Sequence, residues 1–130
     1  MRLIREFMAA LQLLLEGKDL EHRREELKKL YEQYIGPYEL YHNATIDVAM
    51  RALASYDEGQ RLERMEMLAE LYYAEADTVT GPDRNFLLDK AFNLFSFIER
   101  NGKTFSMDRR YKMALIEQRQ KKCSGKTRCE

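Results

Sequence analysis

The sequence contains few of the residues that crosslink or rigidify small proteins. In 130 residues it has 2 cysteines, 2 prolines, 6 glycines and no tryptophan. Both cysteines, Cys123 and Cys129, lie in the last eight residues, which argues against a secreted scaffold built on disulfides. A chain of this length buries about two-thirds of its unfolded surface as one domain, so it can fold without a crosslink or a structural metal.

Long apolar runs are also absent, which bears on the compartment. No stretch approaches the roughly 20 apolar residues that a membrane-spanning helix needs. The beginning of the chain has the composition of a signal peptide, but Glu6 and Gln12 interrupt it and no cleavage site of small residues follows. We therefore predict a cytoplasmic protein that does not contact membranes.

The common signatures of catalytic and cofactor sites are missing as well. The sequence has no Gly-x-Ser-x-Gly motif and no glycine-rich loop. Residues 124–127 match the end of a P-loop motif, but Gln120 occupies the position where that motif needs its first glycine. Cys123 and Cys129 are spaced too widely for a zinc knuckle, and no second pair completes four ligands. We predict a non-catalytic protein without a metal or cofactor.

Acidic and basic residues are equal in number, with 22 of each, but they are unevenly distributed. Residues 1–99 hold 12 Lys/Arg against 19 Asp/Glu, whereas residues 100–130 hold 10 against 3. Such a basic end either binds nucleic acid or docks on an acidic face of the same or another chain. We favour docking, because charge runs are usually solvated or self-paired. Eight of these ten cations lie in residues 100–122: Arg100, Lys103, Arg109, Arg110, Lys112, Arg119, Lys121 and Lys122.

Apolar residues recur at the spacing of three and four that is typical of helices, and strand patterns are poor. The pattern predicts a first helix over residues 3–15 that stops at Gly17, where a residue without a side chain suits a helix end. A second helix is predicted from Asp19 to Ile35. It ends before Pro37, which lacks a backbone N–H and cannot continue a regular helix.

Further amphipathic segments follow. Short helices are predicted over residues 37–42 and 46–54, and a longer one over residues 57–76. The segment 78–83 is the clearest break in the chain, and another helix carrying Leu87 to Ile98 follows it. A last helix is predicted, and the residues expected on its inner face are Met107, Tyr111, Ala114, Leu115 and Gln118. These segments predict a single antiparallel all-α bundle of five to six helices over residues 1–120, with a disordered basic tail over residues 121–130.

The two helices around the segment 78–83 resemble a tetratricopeptide helical hairpin. The residues that carry this resemblance are Met65, Leu68, Ala69 and Tyr72 in the first helix and Leu88, Ala91 and Phe95 in the second. The connection is about ten residues longer than the turn of that repeat. The sequence contains no second copy, so the resemblance implies one hairpin and no solenoid.

The order of the segments resembles a small family of uncharacterised all-helical proteins of Gram-positive bacteria. The resemblance covers about residues 3–116, from LIREFMAALQLLL through RMEMLAELYYAEAD and LLDKAFNLFSFIE to GKTFSMDRRYKMALI. It implies a helical bundle with no known activity, and no functional residue is carried over.

The two histidines each follow a carboxylate by three residues, in Asp19–His22 and Glu39–His42. This spacing places both groups on one helix face, and two such pairs with further carboxylates form the metal cage of di-iron bundles. The further ligands would be Glu66 or Glu70, and Asp89. We favour solvated or capping roles, because about one residue in six is acidic and such pairs arise by chance.

Four tyrosines surround the Gly36-Pro37 break and define a possible cleft. They are Tyr31, Tyr34, Tyr38 and Tyr41. Tyrosine has an apolar ring and a polar tip, which suits the edge of a binding pocket or a protein interface. The alternative is that the rings lie in the core and the hydroxyls reach the surface.

The first predicted helix is apolar on nearly all sides, and such a helix is buried on nearly all sides. We predict that a second copy of the chain covers it, so that the protein is an interaction or scaffold module that forms a homodimer. The contact residues would be Leu3, Phe7, Leu11, Leu14 and Leu15. On this hypothesis Leu11→Glu gives a folded monomer. Nucleic-acid binding through the basic end and a di-metal bundle are the alternatives.

Overall fold

The computed structural model describes residues 2–17, 19–102 and 106–124, and this part of the chain is all-helical, as predicted. The helices are α1 (Arg2–Leu15), α2 (Leu20–Tyr34), α3 (Tyr38–Asn43), α4 (Ile46–Leu53), α5 (Glu58–Ala76), α6 (Gly81–Asn101) and α7 (Met107–Ser124). These seven helices of the described ranges each match one predicted segment, with Ala44 and Thr45 between α3 and α4, and they exceed the predicted total of five to six.

Local signals explain where the short helices begin. The hydroxyl of Thr45 caps α4 by accepting the backbone N–H of Val48 at 3.4 Å. Between α2 and α3, a Cβ at Gly36 would lie 2.7 Å from Cε2 of Tyr41. The absence of a side chain at Gly36 therefore lets the Tyr41 ring pack against the backbone, and α3 folds back against α2.

The connection between α5 and α6 consists of residues 77–80 alone. The predicted long connection is wrong because Gly81 and Pro82, which were assigned to the break, lie in the first turn of α6. Proline is compatible with that position, since the first N–H groups of a helix have no partner within it.

Helices α5 and α6 form the centre of the molecule and pack against each other more extensively than any other pair in the described part of the chain. Helices α1 and α2 pack on α5, and α7 packs on α6. The fully buried side chains of α5 and α6 include Met67, Leu68, Ala69, Leu71, Tyr72, Ala91, Leu94 and Phe95.

Helix α1 uses part of its apolar face inside the molecule. Phe7 and Leu11 are buried, and the ring of Phe7 meets the ring of Tyr34 edge-on, with 5.3 Å between the centroids. These two residues belong to the core, so in this fold they are not available as contact residues of a dimer. Leu3 and Leu14 are half-buried and Leu15 is exposed, and for these the interface stays a prediction.

Helix α7 docks through charged side chains. Nε of Arg109 donates to Oε1 of Glu99 at 2.7 Å, and Nζ of Lys112 donates to Oε1 of Glu70 at 2.5 Å. Arg109 also pairs with Glu66 at 3.3 Å. The expected docking of the basic end on an acidic face of the same chain is therefore confirmed for these cations.

The face that α7 turns inward differs from the predicted one. Arg109 and Ile116 are buried, whereas Met107 and Tyr111 are exposed. The apolar pattern was misleading because a cation occupies the central inward position. Helix α7 also continues to Ser124, into the segment predicted to be disordered. Residues 125–130, with Cys129, and the side chain of Cys123 lie outside the described residues.

No helix in the described ranges combines the length and the apolar character that crossing a membrane would need.

Candidate ligand-binding site

A buried carboxylate, Glu75 near the end of α5, organises the corner where α2, α3, α5 and α6 meet. Its side chain is on the inward side of α5, three residues after the buried Tyr72. Oε1 accepts the hydroxyl of Tyr31 at 2.7 Å, and Oε2 accepts the hydroxyl of Tyr38 at 2.5 Å. Because a buried carboxylate is costly without donors, these two hydroxyls make its burial possible.

His42 completes this arrangement from the end of α3. Its Nδ1 lies 2.8 Å from Oε2 of Glu75 and 3.1 Å from the hydroxyl oxygen of Tyr38. The hydroxyl proton of Tyr38 is already donated to Glu75, so both neighbours of Nδ1 are acceptors. Nδ1 must therefore carry a proton, which leaves Nε2 as an acceptor when the ring is neutral.

The positions of the tyrosines fix their protonation. Burial raises the pKa of Tyr31 well above its ordinary value, and the negative charge of Glu75 raises it further. Burial and the hydrogen bond to Glu75 likewise raise the pKa of Tyr38. Both hydroxyls therefore stay protonated as donors. The ring of Tyr38 also stacks on His42, with 4.9 Å between the centroids and 21° between the planes, which holds the imidazole in one orientation.

Lys90 of α6 closes the back of the corner. Its ammonium donates to the backbone carbonyls of His42 at 2.9 Å, Ala44 at 2.8 Å and Tyr41 at 3.3 Å. These carbonyls lie at the end of α3, where a helix leaves its last C=O groups without partners. Burial lowers the pKa of Lys90 to about 8, and the charge of Glu75 opposes this shift. With three acceptors around it, the amine fixes α3 and is not placed to act as a nucleophile.

An open cavity of about 190 Å³ lies in front of His42. We call it the corner pocket, and it is lined by His42, Asn43, Val79, Asp83, Phe86 and Leu87. Phe86 is 43% exposed, although large aromatic rings are usually covered. The ammonium of Lys90 lies 4.2 Å from the centroid of the Phe86 ring and fixes the position of this wall.

The four tyrosines of the predicted cleft separate in the structure. Tyr31 and Tyr38 bind Glu75 together, whereas Tyr34 packs against Phe7 of α1. Tyr41 is buried, and its backbone carbonyl accepts the hydroxyl of Tyr72 at 2.6 Å. None of the four is among the residues that line the corner pocket. Tyr31 and Tyr38 instead support the pocket from behind by holding the carboxylate that orients His42.

The predicted Glu39–His42 pair does not form. The carboxylate partner of His42 is Glu75, and Glu39 accepts hydrogen bonds from the amide of Asn43 instead. Glu66 and Glu70, the proposed further metal ligands, pair with cations of α7. In the described ranges no three histidine, cysteine or carboxylate side chains are arranged to hold a metal ion.

Sequence reasoning missed Glu75, Lys90 and Asp83. A signal for the first two was present: Glu75 is three residues after Tyr72, and Lys90 lies between Leu87 and Leu94 on the apolar stripe of α6. A charged residue at such an inward position has to find buried partners. No local signal distinguishes Asp83, because its role depends on the fold of α3 against α6.

The fold and this corner define an all-helical protein with a small polar pocket. No family model matches the chain, and the comparisons with curated proteins and with solved structures also give no match.

Proposed function

We propose that the protein is a non-catalytic interaction module that receives one side chain of a partner protein in the corner pocket. The observation that supports this is an imidazole held in a single tautomer and orientation at the wall of an open cavity. The cavity, at about 190 Å³, is below the roughly 300 Å³ at which small-molecule sites begin. This size suits one side chain better than a cofactor. The half-exposed ring of Phe86 is the kind of residue that protein interfaces use.

We also propose that α5 and α6 form a known type of helical hairpin. The short connection over residues 77–80 favours a tetratricopeptide-like hairpin of α5 and α6 within one antiparallel bundle. The likeness to the helical family of Gram-positive bacteria, and a cytoplasmic location, are likewise proposed. Such hairpins bind partners on surfaces formed with neighbouring helices, and here α3 supplies the neighbour.

The proposal is tested by selecting random peptides displayed on phage against the wild-type protein and two valine variants. Val79→Phe fills the pocket, whereas Val48→Phe places the same ring on the exposed face of α4. We expect the selected peptides to bind the wild-type and Val48→Phe proteins and to lose binding to Val79→Phe. If Val79→Phe fails to fold, Asn43→Trp blocks the pocket from an exposed position.

Failure to select any peptide, or equal binding to the pocket-blocked variant, would contradict the proposal. Thermal unfolding followed by circular dichroism establishes beforehand that each variant is folded.

Self-association through α1 is the second candidate. Its support is the exposure of Leu13, which is 72% exposed, and of Leu15 on the same helix. Light scattering on a sizing column should then show a dimer that Leu13→Glu converts to a monomer. Leu11→Glu is not a valid test, because Leu11 is buried and a carboxylate there is expected to unfold the domain. A monomeric wild-type protein would exclude this candidate.

A further inference from the structure

The polar side-chain atoms that the residues lining the corner pocket leave for a ligand are acceptors. Nδ1 of His42 donates to Glu75, which leaves Nε2 as the free acceptor of the neutral ring. The amide nitrogen of Asn43 donates to the backbone carbonyl of Glu39 at 2.9 Å and to its Oε2 at 3.3 Å. Both amide hydrogens are thereby used, and Oδ1 of Asn43 is left to accept.

A carboxylate adds to this set. Asp83 lies in the first turn of α6, is exposed, and forms no hydrogen bond or ion pair with the described part of the chain. Beside its backbone groups, the pocket therefore presents an imidazole nitrogen, an amide oxygen and a carboxylate as side-chain acceptors. A complementary ligand has to donate several hydrogen bonds, and the carboxylate favours a positive charge on it.

The remaining walls fit the stem of such a ligand. Val79 and Leu87 are apolar, and Phe86 presents an exposed aromatic ring. Long cationic side chains bury their methylene groups on apolar surface while the charged end meets polar groups. The face of an aromatic ring also attracts cations.

The charges around the pocket also favour a positively charged ligand. The ammonium of Lys90 is taken up by three backbone carbonyls, and the negative charge of Glu75 lies behind it. These two charges oppose each other, and Asp83 is the charged carboxylate among the residues that line the pocket, whereas the guanidinium of the neighbouring Arg84 is held by the backbone carbonyls of Ala76 and Val79. Residues 1–99, which include every residue that lines the pocket, hold 12 Lys/Arg against 19 Asp/Glu.

We infer that the corner pocket binds the ammonium or guanidinium group of a lysine or arginine side chain of the partner protein, an inference that rests on the proposed function. Asp83 and His42 accept its N–H groups, and Phe86 and Leu87 cover its aliphatic stem.

The experiment compares blocked amino acids as probes, followed by backbone amide shifts in NMR spectra of the full chain. The cationic probes are the N-acetyl N-methylamides of lysine and arginine, and the neutral isosteres are those of norleucine and citrulline. The glutamate derivative tests an anion, and propylamine tests whether a free small amine suffices. We expect saturable shifts at Asn43, Asp83 and Phe86 for the lysine or arginine probe, and at least about tenfold weaker binding of its neutral isostere.

A matched pair of variants tests whether the carboxylate of Asp83 binds the cationic probe. Asp83→Asn and Asp47→Asn each remove a carboxylate from the first turn of a helix, but only Asp83 lines the pocket. Asp83→Asn should weaken binding of the cationic probe about tenfold, and Asp47→Asn should leave it unchanged.

The outcomes distinguish failure of the cation assignment from failure of the proposed function. Equal or tighter binding of the neutral or anionic probes would overturn the cation assignment while leaving the pocket as a binding site. Tighter binding of propylamine than of the lysine probe would overturn the protein side chain as the source. If no probe shifts the pocket amides and the phage selection also yields nothing, the proposed function itself fails.

Discussion

Buried carboxylates find their partners in two different ways in this molecule. Glu75 of α5 accepts two tyrosine hydroxyls and the ring N–H of His42, whereas Glu70 of the same helix faces the cation of Lys112 on α7. Tyrosine hydroxyls are neutral donors, and they need little desolvation. An ion pair has to bring two charges out of water, and its net contribution is small or even unfavourable.

The comparison shows how one helix serves two purposes. Helix α5 uses neutral donors where a side chain has to be held in a defined orientation behind the corner pocket. It uses ion pairs where a neighbouring helix has to be attached. Attachment by charge is sensitive to salt and to substitution of either partner, whereas the hydrogen-bonded corner should resist salt.

The largest effect is expected from Lys90→Met, which removes the ammonium from the corner. Two or three carbonyls at the end of α3 then lose their donor, and we expect the free energy of unfolding to fall by about 3–4 kcal/mol. Urea denaturation measures this. Lys29→Met is the control, since Lys29 is 71% exposed and pairs with Glu26 on the surface, and it should leave the free energy of unfolding nearly unchanged. Equal effects of the two variants would show that Lys90 does not stabilise the corner.

A somewhat smaller effect is expected from Arg109→Met on α7. The substitution leaves Glu66 without its cation and leaves Glu99 with Arg110 alone, but both carboxylates keep some contact with solvent, so we expect a loss of about 2–3 kcal/mol. Adding Glu66→Gln and Glu99→Gln to Arg109→Met should restore much of the loss. Raising NaCl from about 0.1 to about 1 M shortens the screening length and should destabilise the wild type relative to this triple variant. Identical salt responses would refute docking by charge.

Tyr38→Phe tests whether the hydrogen bonds from neutral donors to Glu75 are insensitive to salt. It removes one donor from Glu75, which keeps Tyr31 and His42, so the expected loss is about 1 kcal/mol and should not depend on salt. Tyr111→Phe serves as the control, because Tyr111 is exposed on α7 and should tolerate the change. A strong salt dependence of the Tyr38→Phe effect would mean that the corner is held by charge after all.

The last prediction concerns the alkaline pH profile, which should have two limbs. The pKa of Lys90 is lowered to about 8, so between pH 8 and its ordinary value the unfolded chain binds more protons, and stability should rise with pH. The raised pKa values of Tyr31 and Tyr38 act in the opposite direction. Above pH 10 the unfolded chain loses tyrosine protons first, and stability should fall. Urea titrations at each pH measure both limbs. The rising limb should be absent in Lys90→Met, and its persistence there would assign it to another group.

Apolar spacing predicted the central helices correctly because α5 and α6 bury continuous stripes, such as the one through Leu68 and Tyr72. It failed for α7, where Arg109 takes the inward position and apolar Met107 does not. A hydrophobic pattern cannot find a buried cation, since the partners of that cation lie on other helices. The candidate site was foreseen through His42, which was considered with Glu39 and pairs with Glu75, and through the tyrosines, of which Tyr31 and Tyr38 hold Glu75 behind the pocket. Glu75 is far from His42 in sequence, and only the turn at Gly36 brings them together.

The contact of Lys90 with the end of α3 has a consequence for how the molecule opens. A helix of six residues is too short to persist alone, so α3 should unfold whenever α6 releases it. The wall that carries His42 would then form and melt together with α6, as one cooperative unit. In native-state hydrogen exchange the amides of α3 should therefore share the opening free energy of the centre of α6, rather than fray as a surface turn does.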